Sequence, residues 1–177
     1  MDLLMTKYAR IDDPLATKGD WASGVNDKDE IVGTYFDRAG VHGFSDIGGN
    51  YVAIDDPQGA NATFADGVND NGYIVGYCDF LNSCLGGFVD IDGAYQPIED
   101  PHAKRGTVAS GINDNETIVG YFYGGNNATH GFVEIDGHYK TLNGRQARST
   151  SRRPALTTPA KSSAHLTGRR SLFSRFS

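Results

Sequence analysis

Long apolar runs are missing from this sequence, and no stretch approaches the roughly 20 residues a helix needs to cross a bilayer. A helical membrane span is therefore not expected. The opening Met1-Asp-Leu-Leu-Met-Thr-Lys7 has an acid at position 2 and no apolar core, so no signal peptide is read from it and the compartment stays unassigned. Cysteine is nearly absent. Cys78 and Cys84 alone cannot form a disulfide framework, and two thiols without clustered histidines do not make a structural zinc site. Apolar residues make up only 38% of the 177, low for a globular chain. Acid is missing from residue 144 onward. Residues 1–143 hold all 22 Asp and Glu with 8 Lys and Arg, a net charge of −14, whereas residues 144–177 hold 8 Lys and Arg and no acid. Two such stretches are not expected to form one continuous structure.

Glycine is what the chain has in plenty. The 23 glycines are about twice the usual share and stand between short apolar runs, a pattern of tight turns that points to all-β structure. The runs repeat. Gly24-Val-Asn-Asp-Lys-Asp-Glu-Ile-Val-Gly-Thr34, Gly67-Val-Asn-Asp-Asn-Gly-Tyr-Ile-Val-Gly-Tyr77 and Gly111-Ile-Asn-Asp-Asn-Glu-Thr-Ile-Val-Gly-Tyr121 are versions of one segment. Tyr8, Tyr51, Tyr95 and Tyr139 recur at intervals of 43, 44 and 44 residues, and the first three each open a Tyr-x-x-Ile-acid-Asp-Pro run. A Gly-Phe strand with Phe44, Phe88 or Phe132 closes the set of landmarks.

In the middle unit the pattern predicts strands at Tyr51–Ile54, Thr63–Val68, Tyr73–Cys78 and Gly87–Ile91. Pro57 stops the first, because proline has no N–H for a ladder. Position 64 is Trp21 in the first unit and Val108 in the third, which reads as a large core-facing slot. Asp92-Gly93 and Asp136-Gly137 are hairpin turns, and Gly48-Gly49 serves the same purpose. Four antiparallel strands in about 44 residues match the size of a β-propeller blade. The expected fold is all-β, with four-stranded antiparallel units of 43–44 residues forming three β-propeller-like blades and a stub. The expected domains are an N-terminal extension (1–7), a β-repeat domain (8–143, with units 8–50, 51–94 and 95–138 and stub 139–143) and a disordered basic tail (144–177).

The units resemble the HAF family of bacterial extracellular repeats, which carry Gly-Ile-Asn-Asp, then Ile-Val-Gly and an aromatic, and later His-Gly-Phe. Here the triplet is His42-Gly43-Phe44 and His130-Gly131-Phe132, with Gly86-Gly87-Phe88 in the middle unit. The resemblance covers residues 8–142. It implies an extracellular β-repeat protein of bacterial type, usually with more units, and no defined activity.

No residues are expected to be catalytic, to bind a cofactor or to ligate a metal. Asn26, Asp27, Asn69, Asp70, Asn113 and Asp114 are read as structural turn residues, since Asn and Asp close turns onto their own backbone. A calcium site on these acidic turns and on Asp12/Asp13, Asp55/Asp56 and Glu99/Asp100 is the weaker reading, because no calcium-loop spacing is present. His42 and His130 read as satisfied strand-edge histidines ahead of ligands or bases. Spacing allows a hairpin disulfide between Cys78 and Cys84 in an oxidising compartment but does not demand it. Asn61, Asn115 and Asn127 begin N-glycosylation triplets that a chain this rich in Asn and Thr produces by chance. The fourth unit breaks at Asn143-Gly-Arg-Gln-Ala-Arg148. A frameshift is the favoured origin of residues 144–177, ahead of a plain tail and of an arm binding nucleic acid or a membrane surface.

The functional expectation is a non-enzymatic structural or binding module, a fragment of a larger repeat protein that takes a protein or glycan ligand. Its other partners would be further copies of itself or the missing repeats. The rivals are a propeller-type lyase or hydrolase with its site at the central channel, and nucleic-acid binding by the tail. An enzyme would need residues that break the repeat.

Overall fold

A computed structural model describes residues 11, 13–57, 62–80, 84–125 and 128–142, with only the backbone of Phe80, Cys84 and Leu85. All regular structure there is extended: β1 (Gly19–Val25), β2 (Glu30–Phe36), β3 (Val41–Ile47), β4 (Asn50–Ile54), β5 (Ala62–Val68), β6 (Ile74–Phe80), β7 (Cys84–Ile91), β8 (Ala94–Ile98), β9 (Thr107–Ile112), β10 (Ile118–Tyr123), β11 (Thr129–Ile135) and β12 (His138–Leu142). Each run of four pairs antiparallel in sequence order, giving the three meanders β1–β4, β5–β8 and β9–β12. One parallel bridge, Val41 to Ala62, joins the first two, so eight strands form one sheet and the last four another.

The meanders are offset from the sequence units. Each Tyr strand opens a unit in sequence but pairs backwards: β4 with β3, β8 with β7 and β12 with β11. The hairpin turns cause this. Asp92-Gly93, Asp136-Gly137 and Gly48-Gly49 all have positive φ at both positions, as a two-residue turn matched to strand twist requires. Residues 139–142 of the expected stub thus belong to the last strand of the third meander, and residue 143 lies outside the described residues. The acids Asp46, Asp90 and Glu134 finish each hairpin by accepting the N–H of Gly49, Gly93 and Gly137.

The Ile-Val-Gly and Gly-Phe landmarks are two halves of one contact. Gly33, Gly76 and Gly120 stand directly across from Phe44, Phe88 and Phe132. A Cβ on these glycines would lie 1.9–2.1 Å from the carbonyl oxygen of Trp21, Phe64 or Val108 and 2.8–2.9 Å from the Phe ring. The space a side chain would need is taken by the neighbouring strand and the ring. Pro97 lies in β8, which among the described residues pairs only with β7, and such an edge tolerates a residue without an N–H.

The core sits between successive meanders. Val32 of the first packs with Ala65, Val68, Ile74, Cys78 and Phe88 of the second. Val75 and Val89 of the second pack with Ala109, Ile118, Phe122 and Phe132 of the third. The position-64 slot is fully buried in the third meander, half-buried as Phe64 in the second and exposed in the first: Val108 is 1% exposed, whereas Trp21 is 49% exposed and leans on Phe36, ring centroids 4.7 Å apart. Residues 1–7, Tyr8 and the tail 144–177 lie outside the described residues.

Candidate functional site

The recurring Asn-Asp turn does two things at once. Within each turn the Asn side-chain oxygen accepts two backbone N–H groups: Lys28 and Glu30 for Asn26, Asn71 and Tyr73 for Asn69, Asn115 and Thr117 for Asn113. Across the junction its Nδ2 donates to the backbone carbonyl of the next Asn, Asn26 to Asn69 at 2.8 Å and Asn69 to Asn113 at 3.0 Å. The Asp beside it adds a second rung. The N–H of Asp27 donates to Asp70 Oδ1 at 2.9 Å, and that of Asp70 to Asp114 Oδ1 at 2.8 Å. Every rung runs from donor in one repeat to acceptor in the next. A residue with both an acceptor oxygen and an NH2 group is needed, which is why Asn rather than Asp holds the first place.

The acid-Asp-Pro runs are also structural. Asp13 and Asp100 accept the N–H two residues on, from Leu15 and His102, and the N–H groups of Asp13, Asp56 and Asp100 donate to Asp20, Thr63 and Thr107 at the start of the next inner strand. The second oxygens of Asp13 and Asp100 are buried with no partner among the described residues. In the middle meander the equivalent Asp56 takes the thiol of Cys78.

His42 shows what the sequence left open. Its Nδ1 lies 2.8 Å from Asp55 Oδ1, its Nε2 lies 3.2 Å from Asp37 Oδ1, and its ring stacks on Tyr35 at 4.9 Å. The Gly40 N–H, then the Ala39 N–H and His42, hold the Asp37 carboxyl below its usual range. His130 stacks on Phe122 at 5.2 Å in the same manner, and the middle meander has Cys78 and Gly86 at this pair of positions. Histidine and aromatic therefore come and go together. Next to His42 a cleft of about 370 Å³ opens between Val41, Asp55, Asp56 and Thr63, at the joint of the first two meanders. A second cleft, about 260 Å³, lies between Tyr73, Gln96, Glu116, Glu134 and Tyr139.

Asp66 is a residue that sequence reasoning missed. It sits in the bulge of inner strand β5, where the register slips between Ala65 and Gly67, and Ser23 and Ser110 hold the matching positions. Burial pushes its carboxyl up to about 6. Burial and then the Asp66 charge push the Tyr77 hydroxyl up to about 12. Tyr77 stacks on Phe64 at 4.5 Å, and Tyr121 meets Tyr123 edge-on at 5.7 Å. The signal available in the sequence was the alternation Ser-Gly, Asp-Gly, Ser-Gly.

Cys78 is a buried free thiol, and burial first, then Asp56, raises its pKa far above the ordinary thiol range. The side chain of Cys84 lies outside the described residues. In the backbone register Cys84 stands opposite Phe80 while Cys78 stands opposite Gly86, a diagonal rather than a facing pair. His102 and His138 bond locally, to Asp100 Oδ1 and the Asp136 carbonyl. Asn115 is exposed in the third turn, whereas Asn61, Asn127 and His165 fall outside the described residues. Among the described residues no three His, Cys, Asp or Glu gather as a metal cluster, and no helix is long and apolar enough to cross a membrane.

No protein-family model and no curated protein matches this chain. Among solved structures, a fucose lectin from Kordia zhangzhouensis in complex with methyl-fucoside is similar to it at a TM-score of 0.42 and 8% identity, over 71% of this chain and 96% of the lectin.

Proposed function

We propose that this chain is a non-enzymatic binding or structural module of the extracellular-repeat type, with its three meanders disposed as propeller-type blades. The supporting observation is how its polar side chains are employed. Asn26, Asn69 and Asn113, the hairpin acids Asp46, Asp90 and Glu134, and the capping Asp13 and Asp100 all hold backbone, in the same way from repeat to repeat. Catalysis requires unlike groups brought together once, whereas copied groups build a scaffold.

The surface offered to a ligand is the His42 cleft. Half-exposed Asp55 supplies an outward carboxylate whose position His42 fixes, and Thr63 lines the same wall. Carboxylate oxygens that accept hydrogen bonds suit a hydroxyl-rich glycan. The test is a glycan array followed by calorimetry on the full chain. Binding that Asp55→Asn weakens about tenfold or more, with melting unchanged, is the expected result. An array with no binder, or affinity indifferent to Asp55, contradicts the reading. The enzyme alternative has Asp66 in its favour, a symmetry-breaking carboxyl that titrates near 6. Hydrolysis of any glycoside or ester panel that disappears in Asp66→Asn would establish it instead.

A further inference from the structure

The ladder has two unlike ends. At the first repeat the Asn26 carbonyl accepts, among the described residues, only the Asp29 N–H, while its counterpart Asn69 accepts both the Gly72 N–H and the Asn26 side chain. Asp27 Oδ1 has no donor among the described residues, although Asp70 Oδ1 and Asp114 Oδ1 each have one from the repeat before. At the third repeat the situation is reversed. Asn113 Nδ2 and the Asp114 N–H have no acceptor among the described residues, and their counterparts in the first two repeats do. One end presents acceptors and the other presents donors, at the same two positions of the same turn.

The apolar surfaces repeat this asymmetry. Val25 is 64% exposed, and its counterpart Val68 is 8% exposed because the first meander covers it. Ala22 is exposed where Ala65 and Ala109 are buried. At the opposite end Val119 is 44% exposed, while Val32 and Val75 are fully buried under the following repeat. The glycines agree. A Cβ on Gly24 or Gly67 would meet the backbone of the next inner strand at 3.0–3.4 Å, whereas one on Gly111 would meet, among the described residues, only its own Val119 at 3.5 Å. The third repeat thus has the shape, glycine and donors that the first two use to receive a follower, and the first repeat has the surface of one.

We propose that this chain associates head-to-tail with a second copy of itself, the Asn113–Val119 end of one copy taking the Asn26–Val25 end of the next through the contacts that already join its own repeats. The occupant is a second copy because the two surfaces are complementary to each other and not to themselves. Donor would face donor, and acceptor acceptor, if like ends met. Such a contact is heterologous, so it closes into a ring or continues as a filament according to the rotation it imposes. The inference rests on the junctions and needs no ligand.

The experiment uses the full chain and two variants, Val25→Lys and Val119→Lys, each at a side chain already exposed in the single chain. Circular dichroism and melting should match the unaltered protein. Sedimentation velocity over a concentration series should show the unaltered chain associating and each variant alone monomeric, with self-association weakened at least about tenfold. Mixed in equal amounts, the variants should form a dimer and stop there, because each keeps the end that the other lacks. A monomeric unaltered chain at all concentrations would overturn the proposal by leaving both ends to some other occupant. So would variants that associate undiminished, or a mixture that stays monomeric.

Discussion

The most informative single residue is Asp66. Its carboxyl ionises near 3.8 when solvated and near 6 in the fold, where burial disfavours the charge. Between those values the folded chain binds more protons than the unfolded chain, so stability falls as pH rises through the window and is lowest above it. Asp66→Ser installs the residue found at positions 23 and 110. The variant should melt higher than the parent at pH 7.5, and the difference should vanish near pH 4. Thermal melts at the two pH values measure this. The sequence displayed the substitution but not its consequence, because what raises the carboxyl is burial that exists only in the fold. His42 is a similar case. Its recurrence with His130 was visible, yet Asp55 and Asp37 reach it from other strand ends, and only the folded register brings them within 3.2 Å.

At the scale of the strand, the motif letters become contacts. Gly76 is glycine because β5 and the Phe88 ring occupy its Cβ position, whereas a Cβ on Gly111 would make only an ordinary contact with Val119 at 3.5 Å. Gly76→Ala should therefore cost at least about 3 kcal/mol, since a backbone oxygen cannot move aside as a side chain can. Gly111→Ala should leave stability of the single chain within about 0.5 kcal/mol. Urea unfolding of both variants decides the point, and equal losses would contradict it. The hairpins, the strand-ending prolines and nearly all strand positions were legible, because each is dictated by a few adjacent residues. Which strands share a sheet was less so. A Tyr strand begins each sequence unit, but its hydrogen bonds belong to the hairpin before it, and periodicity has no preferred starting point. The Trp21 slot misled for a related reason, since burial at that position depends on what the neighbouring repeat brings to it.

For the molecule as a whole, the Asn-Asp turn is the part that converts three similar meanders into one body. The sequence reads those six residues as formers of their own turns; the three Asn side chains bond their own turn, whereas the Asp70 and Asp114 carboxylates take an N–H from the repeat before. That they also bond across the junctions was not legible, because residues 43 or 44 apart are linked only after folding. The most direct test compares two variants that break identical turns. Asn69→Ala and Asn113→Ala each remove a side chain that accepts two backbone N–H groups of its own turn. Asn69 also donates across a junction and is only 3% exposed, while Asn113 is exposed and has no follower among the described residues. Equilibrium unfolding, at concentrations where the chain is monomeric, should show Asn113→Ala costing about 1 kcal/mol and Asn69→Ala about 1–2 kcal/mol more. Equal costs would mean that the turns are local features and that the repeats are held together by something else.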